Sequence, residues 1–203
     1  MNEPYRRSTL ALAVLGLLAG EPMHPYRMQQ VIKQRAKDQV VNVGQRASLY
    51  KAVDRLRKAG LVAARETTRN RLRPERTVYE LTDHGRQVLE RWMREVLSLP
   101  AREFPVFPAA IAFLPLLTPG DVCHELEQRL GRLRKELARL EQGLADARVP
   151  RLLLLEDEYR RAVTAAELAW VESLVEDLRA GRIVWDERWL REVAAATGGA
   201  PAP

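Results

Sequence analysis

Lys51 and Arg55 stand four residues apart in the stretch QRASLYKAVDRLRKAGLV, close enough to share one side of a helix. Leu49, Val53 and Leu56 recur in the same stretch at the i, i+4, i+7 spacing of a buried stripe. At about 100° per residue, Ala47, Lys51, Asp54, Arg55 and Lys58 then face away from that stripe, with Ser48 beside them. Further along, Arg69, Arg71, Arg73 and Arg76 crowd the turn and rim of an expected hairpin, with one acid, Glu75, among them. Ammonium and guanidinium groups so placed are suited to neutralising phosphate, and guanidinium also matches its geometry. A groove-sized helix followed by a cationic hairpin is the outline of a winged helix-turn-helix that reads DNA. The expected contacts are Gln45, Arg46, Ser48, Tyr50, Lys51 and Arg55 from the helix, and the four arginines from the wing. Tyr50 lies at the border of the core face and suits either a phosphate contact or a purely structural role.

Other chemistry finds less material. His24, His84 and His124 are too few and too dispersed for a catalytic triad, and His24 and His84 fall at expected helix starts, where a capping or surface role is the simpler one. Cys123, His124 and Glu127 sketch a metal corner, but three ligands so close in sequence lack a fourth from elsewhere. Cys123 has no resolving cysteine, and no glycine-rich loop cradles a phosphate. The expectation is a non-enzyme with no catalytic residues, no metal and no cofactor. A single cysteine excludes an internal disulfide and suits a reducing cytoplasm. No signal peptide is expected, and the most apolar stretch, 109–117, contains Pro115 and is far shorter than the roughly 20 residues of a membrane helix. The chain is expected to be soluble and cytoplasmic.

The elements that must position these groups can be read from pattern. With 46% apolar and 30% charged residues, the composition is that of a globular protein. Residues 1–99 hold 19 Lys/Arg against 10 Asp/Glu, a balance of +9; residues 100–203 hold 14 against 17, a balance of −3. The polyanion signal therefore belongs to the first half. A first helix, LALAVLGLLAG, follows Ser8 and Thr9, with Leu10, Val14, Leu17 and Leu18 as its expected buried side. A second starts near His24-Pro25 and fades after Lys37, and Gly60 stops the third. Strands are expected over 61–66 and 77–81, then a fourth helix capped by Thr82 or Asp83 with an apolar band through Val88, Leu89, Trp92, Met93, Val96 and Leu97.

Three blocks in order (LGLLAGEPMHPY, SLYKAVDRLRKAGLV and YELTDHGRQVLERW) resemble the PadR family of bacterial transcriptional regulators over about the first half of the chain. The resemblance implies a winged-helix fold, DNA as partner, and phenolic acids or hydrophobic, drug-like molecules as effectors. It also implies that Tyr50, as the tyrosine of the family's LY motif, faces a phosphate. Pro25 replaces the family's usual glycine between His24 and Tyr26, Lys51 its proline after the LY pair, and Ala47 its glycine ahead of Leu49. These departures fall at the DNA face and bear on the operator sequence rather than on the fold.

The second half changes character. Residues 100–121 hold five prolines and few charges, a natural boundary that still packs, with a short helix near 109–114. Leu126, Leu130, Leu133, Leu137, Leu140 and Leu144 then repeat at spacings of 4, 3, 4, 3, 4, the seam of a coiled coil. A second long helix over 151–179 carries Leu155, Tyr159, Val163, Ala166, Trp170, Leu174 and Leu178. A last segment holds Trp185 and Trp189, and the chain ends in a tail expected to be disordered. The seam suits an antiparallel pair within the chain or a pair between chains. The resemblance implies a dimerisation region, and two-fold operators ask for two recognition helices.

The expected fold is mainly α with a small β-hairpin: a winged helix-turn-helix domain over 1–99 and a helical, coiled-coil-like dimerisation domain over 100–203. The expected function is a homodimeric, sequence-specific transcriptional repressor released by a small hydrophobic or aromatic effector. The dimer contact is placed on the six seam leucines with Trp170 and Leu174. The effector site is placed on Trp92, Phe104, Phe107 and Phe113, which also read as plain core. The competing expectation is a protein-interaction adaptor that uses the same winged head and coiled coil without specific DNA binding.

Overall fold

Ser8 opens the first helix by accepting the Ala11 N–H at 3.1 Å in the computed structural model. The structure describes residues 7–35, 37, 40–44, 46–70, 73–100 and 104–196, with the backbone alone for residues 46, 66–70, 73–76 and 194. The chain divides into two compact units, Met1–Arg102 and Glu103–Pro203.

In the first unit, α1 (Thr9–Gly20) is apolar almost all round, so its 3.6-residue period says little about which side turns inward. The buried residues are Ala11, Val14, Leu15 and Leu18; Leu10 and Leu17, expected inside, pack half-buried on the edge of the same core. α2 (Pro25–Gln34) starts with His24 as its cap, the ring Nδ1 accepting the Tyr26 N–H at 3.1 Å, and ends earlier than expected. α3 (Arg46–Lys58) buries Leu49, Val53 and Leu56 as its spacing predicts, with Ala52 beside them. Gly60, at φ +71°, ends it in the left-handed region where a side chain is strained.

The hairpin pairs β1 (Val62–Asn70) with β2 (Arg73–Leu81), antiparallel from Val62 opposite Leu81 to Asn70 opposite Arg73. Both strands run further toward the tip than alternation alone predicts, and the register shifts between Ala64 and Glu66 and between Thr68 and Asn70. Arg69, Arg73 and Arg76 therefore belong to paired strands rather than to the turn. Backbone pairing in a two-stranded ribbon needs no apolar face, so it continues past the point where the hydrophobic pattern stops. Met23, between α1 and α2, adds a bridge: its N–H donates to the Tyr79 carbonyl at 3.0 Å and its carbonyl accepts the Tyr79 N–H at 3.1 Å. α4 (Asp83–Ser98) is capped by Thr82 and buries Val88 and Trp92.

One buried polar contact orders the connector that delivers α3. The Gln29 side chain, 7% exposed, donates from Nε2 to the Val43 carbonyl at 2.9 Å. Gln29→Ala leaves that carbonyl without its partner, and unfolding measurements should show a loss of about 1–3 kcal/mol. An unchanged denaturation midpoint would mean that water replaces the amide at no cost.

In the second unit, α5 (Val106–Ala112) and a single 3-10 turn (Leu114–Leu116) precede α6 (Pro119–Asp146), which Thr118 caps. The short helix thus begins earlier than the expected 109–114, and a helical turn follows it. After another turn at Arg151–Leu153 comes α7 (Leu155–Arg179), then α8 (Glu187–Ala196), which carries Trp189. α6 and α7 lie antiparallel: Glu127 accepts from Arg179 at 2.8 Å, and Glu136 from Arg160 at 2.7 Å. Leu126 and Leu130 of the seam pack in one cluster with Val171, Val175 and Leu178 of α7, with Leu133 and Leu174 half-buried against it. Leu140 is buried too, and Leu137 and Leu144 are half-buried. Heptad spacing is thus met in large part inside one chain, while Leu133, Leu137 and Leu144 keep some of their surface open. The exposed side of α7 carries Leu155, Tyr159, Val163 and Trp170.

Candidate nucleic-acid interface

Burial of Leu49, Val53 and Leu56 fixes the rotation of α3 about its axis, and that decides what it offers to solvent. Ala47, Tyr50, Lys51, Arg55, Arg57 and Lys58 are exposed, while Ser48 is half-buried. Asp54 sits in the middle of these cations and engages two of them, Lys58 at 2.8 Å and Arg57 at 3.1 Å. Those two partners hold its carboxyl below the usual carboxylate range. Among the described residues, neither Lys51 nor Arg55 makes an ion pair. One aspartate therefore compensates the last turn of the helix and leaves a cationic pair one turn apart on its middle.

Tyr50 is 45% exposed, and its ring meets that of His24 edge-on with centroids 6.2 Å apart. This contact ties the recognition helix to the first turn of α2, since the same histidine caps that turn. The sequence offers His24 a capping or a surface role but carries no sign of its ring contact, because no periodicity links positions 24 and 50. Of the other expected contacts, Gln45 and Arg71 lie outside the described residues. Arg46, Arg69, Arg73 and Arg76 are placed by backbone alone, the first opening α3 and the others on the wing strands.

The expected effector residues separate. Trp92 is 7% exposed inside the first unit's core, where its neighbours include Val88 on the same helix. Phe107 and Phe113 do meet, in a groove of about 490 Å³ in the second unit, together with Leu114, Leu117, Leu126 and Leu133. Phe104, at 82% exposure, is not part of its lining. Cys123 donates to Glu127 at 3.4 Å, and burial, with that carboxylate, pushes its thiol up, away from the thiolate that redox chemistry needs.

A helical core, a recognition-type helix turned outward by its leucines and a two-stranded wing with a bridge to Met23 define a winged helix-turn-helix domain. Residues 14–91 match the family model described as the transcriptional regulator PadR-like family. Solved structures share the wider fold. Bacillus subtilis PadR in complex with operator DNA is 21% identical with a TM-score of 0.63, over 84% of this chain and 99% of that one. The same regulator in complex with p-coumaric acid is 18% identical, also at 0.63, over 85% and 99%. A PadR-like transcriptional regulator from Bacillus cereus is 16% identical with a TM-score of 0.57, over 87% and 99%. No curated protein matches.

Proposed function

We propose that this chain is a homodimeric, sequence-specific DNA-binding regulator of transcription, a repressor that a small hydrophobic or aromatic effector releases. The observation that carries the reading is the outward face of α3, where Lys51 and Arg55 stand exposed and uncompensated on a helix anchored by three buried residues. The match to a family of transcriptional regulators supports it, as does the likeness to a regulator solved both with operator DNA and with p-coumaric acid. Regulation rather than catalysis, and the cytoplasm as its place, belong to the same proposal. No described helix is long and apolar enough to cross a membrane.

Two-fold operators call for two recognition helices. We place the dimer contact on apolar surface that one chain leaves uncovered, the half-buried Leu133, Leu137 and Leu144 of the seam included. In the second unit that surface includes Tyr159, 70% exposed, and Trp170, 45% exposed; on α4 it includes Val96 and Leu97. A surface this apolar marks a protein contact.

A mobility-shift series on the DNA upstream of the chain's own gene, run with sedimentation, tests both parts. A dimer contacting about six phosphates should lose affinity by roughly 10³-fold between 50 and 200 mM salt. A monomer that still binds tightly would sink the dimer. Binding to a protein partner, with no shift at any salt, would favour the adaptor reading, which the basic recognition face argues against.

A further inference from the structure

The groove of the second unit is apolar at its floor, and two of the charged groups in its wall, Arg129 and Glu136, are already paired. Arg129 lies flat over the Phe107 ring, its guanidinium carbon 3.4 Å from the ring centroid. From there it donates Nε to Glu167 of α7 at 2.6 Å, so a carboxylate outside the groove's lining neutralises the guanidinium within it. Glu136, the acid in the same wall, accepts from Arg160 and from Arg139, each at 2.7 Å. Glu125 and Arg132 at the rim are both exposed and opposite in sign. An ionised ligand would lose its hydration among the phenylalanines and leucines and meet a free cation only in the solvent-exposed Arg132, where an ion pair gains little. A flat uncharged ligand loses little and stacks on an existing ring pair, since Phe107 also meets Trp170 edge-on at 6.2 Å. The volume suits a molecule of two or three fused rings.

We propose that the groove between α5, the turn that follows it and α6 is the effector site, that it takes an uncharged aromatic molecule in preference to an aromatic carboxylate, and that Glu167 sets this preference by neutralising Arg129. The proposal rests on the effector reading above and narrows it to one place and one charge state.

The test uses the full chain without DNA and two probes of one shape, 9-anthracenemethanol and 9-anthracenecarboxylate, titrated by quenching of tryptophan emission. The alcohol should bind at least about tenfold more tightly than the carboxylate. Ala110→Trp, which fills the groove from its exposed lining, should abolish binding of both. Glu167→Gln frees the charge of Arg129 and should shift the preference by about tenfold toward the carboxylate, a change in ratio that simple loosening of the helix pair does not give. The proposal is overturned by a carboxylate that binds the wild-type chain as well as the alcohol, by an unchanged ratio in Glu167→Gln, or by undiminished binding in Ala110→Trp. It is also overturned if Ala110→Trp turns a dimer into a monomer, because a second copy would then cover the groove. A mobility shift with the same preparation separates the two readings: retained DNA binding with no ligand binding sinks only this site.

Discussion

Gly85→Ala should unfold the first unit or leave it marginal, with a loss of about 3 kcal/mol or more. Gly85 is buried in the first turn of α4, where the helix runs against the chain that leaves α3. Thr82 makes that approach close: its Oγ1 donates to the Gly60 carbonyl at 2.8 Å, accepts the Gly85 N–H at 2.9 Å, and its own N–H donates to the Leu61 carbonyl at 3.2 Å. A Cβ on residue 85 would lie 2.0 Å from the Leu61 carbonyl oxygen and 2.8 Å from Leu81 Cδ1. The first of these is a backbone atom held by Thr82, so it cannot rotate away as a side-chain end does. Relief requires that α4 separate from the Gly60–Leu61 corner, which opens the core around Val88 and Trp92. Gly131→Ala in α6 is the matched control, because nothing lies within 4 Å of the added carbon, and there the gain in helix propensity should stabilise by up to about 1 kcal/mol. Melts of the two variants followed by far-ultraviolet circular dichroism decide the matter. A Gly85→Ala protein that melts with the wild type would show that the corner yields.

The same region shows what a sequence can and cannot disclose. The outward face of α3 was legible because its apolar and charged residues alternate with a clean helical period, so burying Leu49, Val53 and Leu56 settles where Lys51 and Arg55 point. α1 is the opposite case. Its near-uniform apolar character leaves no period to read, and the fully buried Leu15 looks no different from the half-buried Leu17. The need for glycine at 85 is invisible for another reason: the atom that forbids a side chain, the Leu61 oxygen, comes from a distant part of the chain. Heptad spacing predicted that the leucines of α6 are buried, but spacing carries no identity for the partner, and Val171 and Val175 of the same chain supply it. Of the positions read on α7, Leu155, Tyr159, Val163 and Trp170 make a stripe that remains exposed, while Leu174 and Leu178 turn to the cluster with α6. Among the aromatics, Trp92 and Phe107 are alike as sequence, and only packing sends one to the core and the other to a groove wall.

Lys51→Ala with Arg55→Ala should abolish specific DNA binding while leaving the fold intact, the largest functional effect expected of any surface change. Both side chains are exposed and make no ion pair with a described residue, so their removal breaks no packing, and alanine is a better helix former than either. Against DNA the same two groups are the free cations among the described side chains of α3, because Asp54 already holds Arg57 and Lys58. Loss of two charge-assisted contacts should weaken binding by on the order of 100-fold or more, and it should lower the steepness of the salt dependence by about two counterions per head. That second number separates contact from bystander. If the pair merely adds to a diffuse positive field, affinity falls a little for every sequence and the difference between operator and random DNA survives. If the pair sits in the groove, the difference itself shrinks. Asp54→Ala completes the argument from the other side: it frees Arg57 and Lys58, so nonspecific affinity should rise several-fold and become more salt-sensitive. A double variant that keeps full operator affinity, measured beside a circular dichroism spectrum identical to that of the wild type, would mean that α3 does not present this face to DNA.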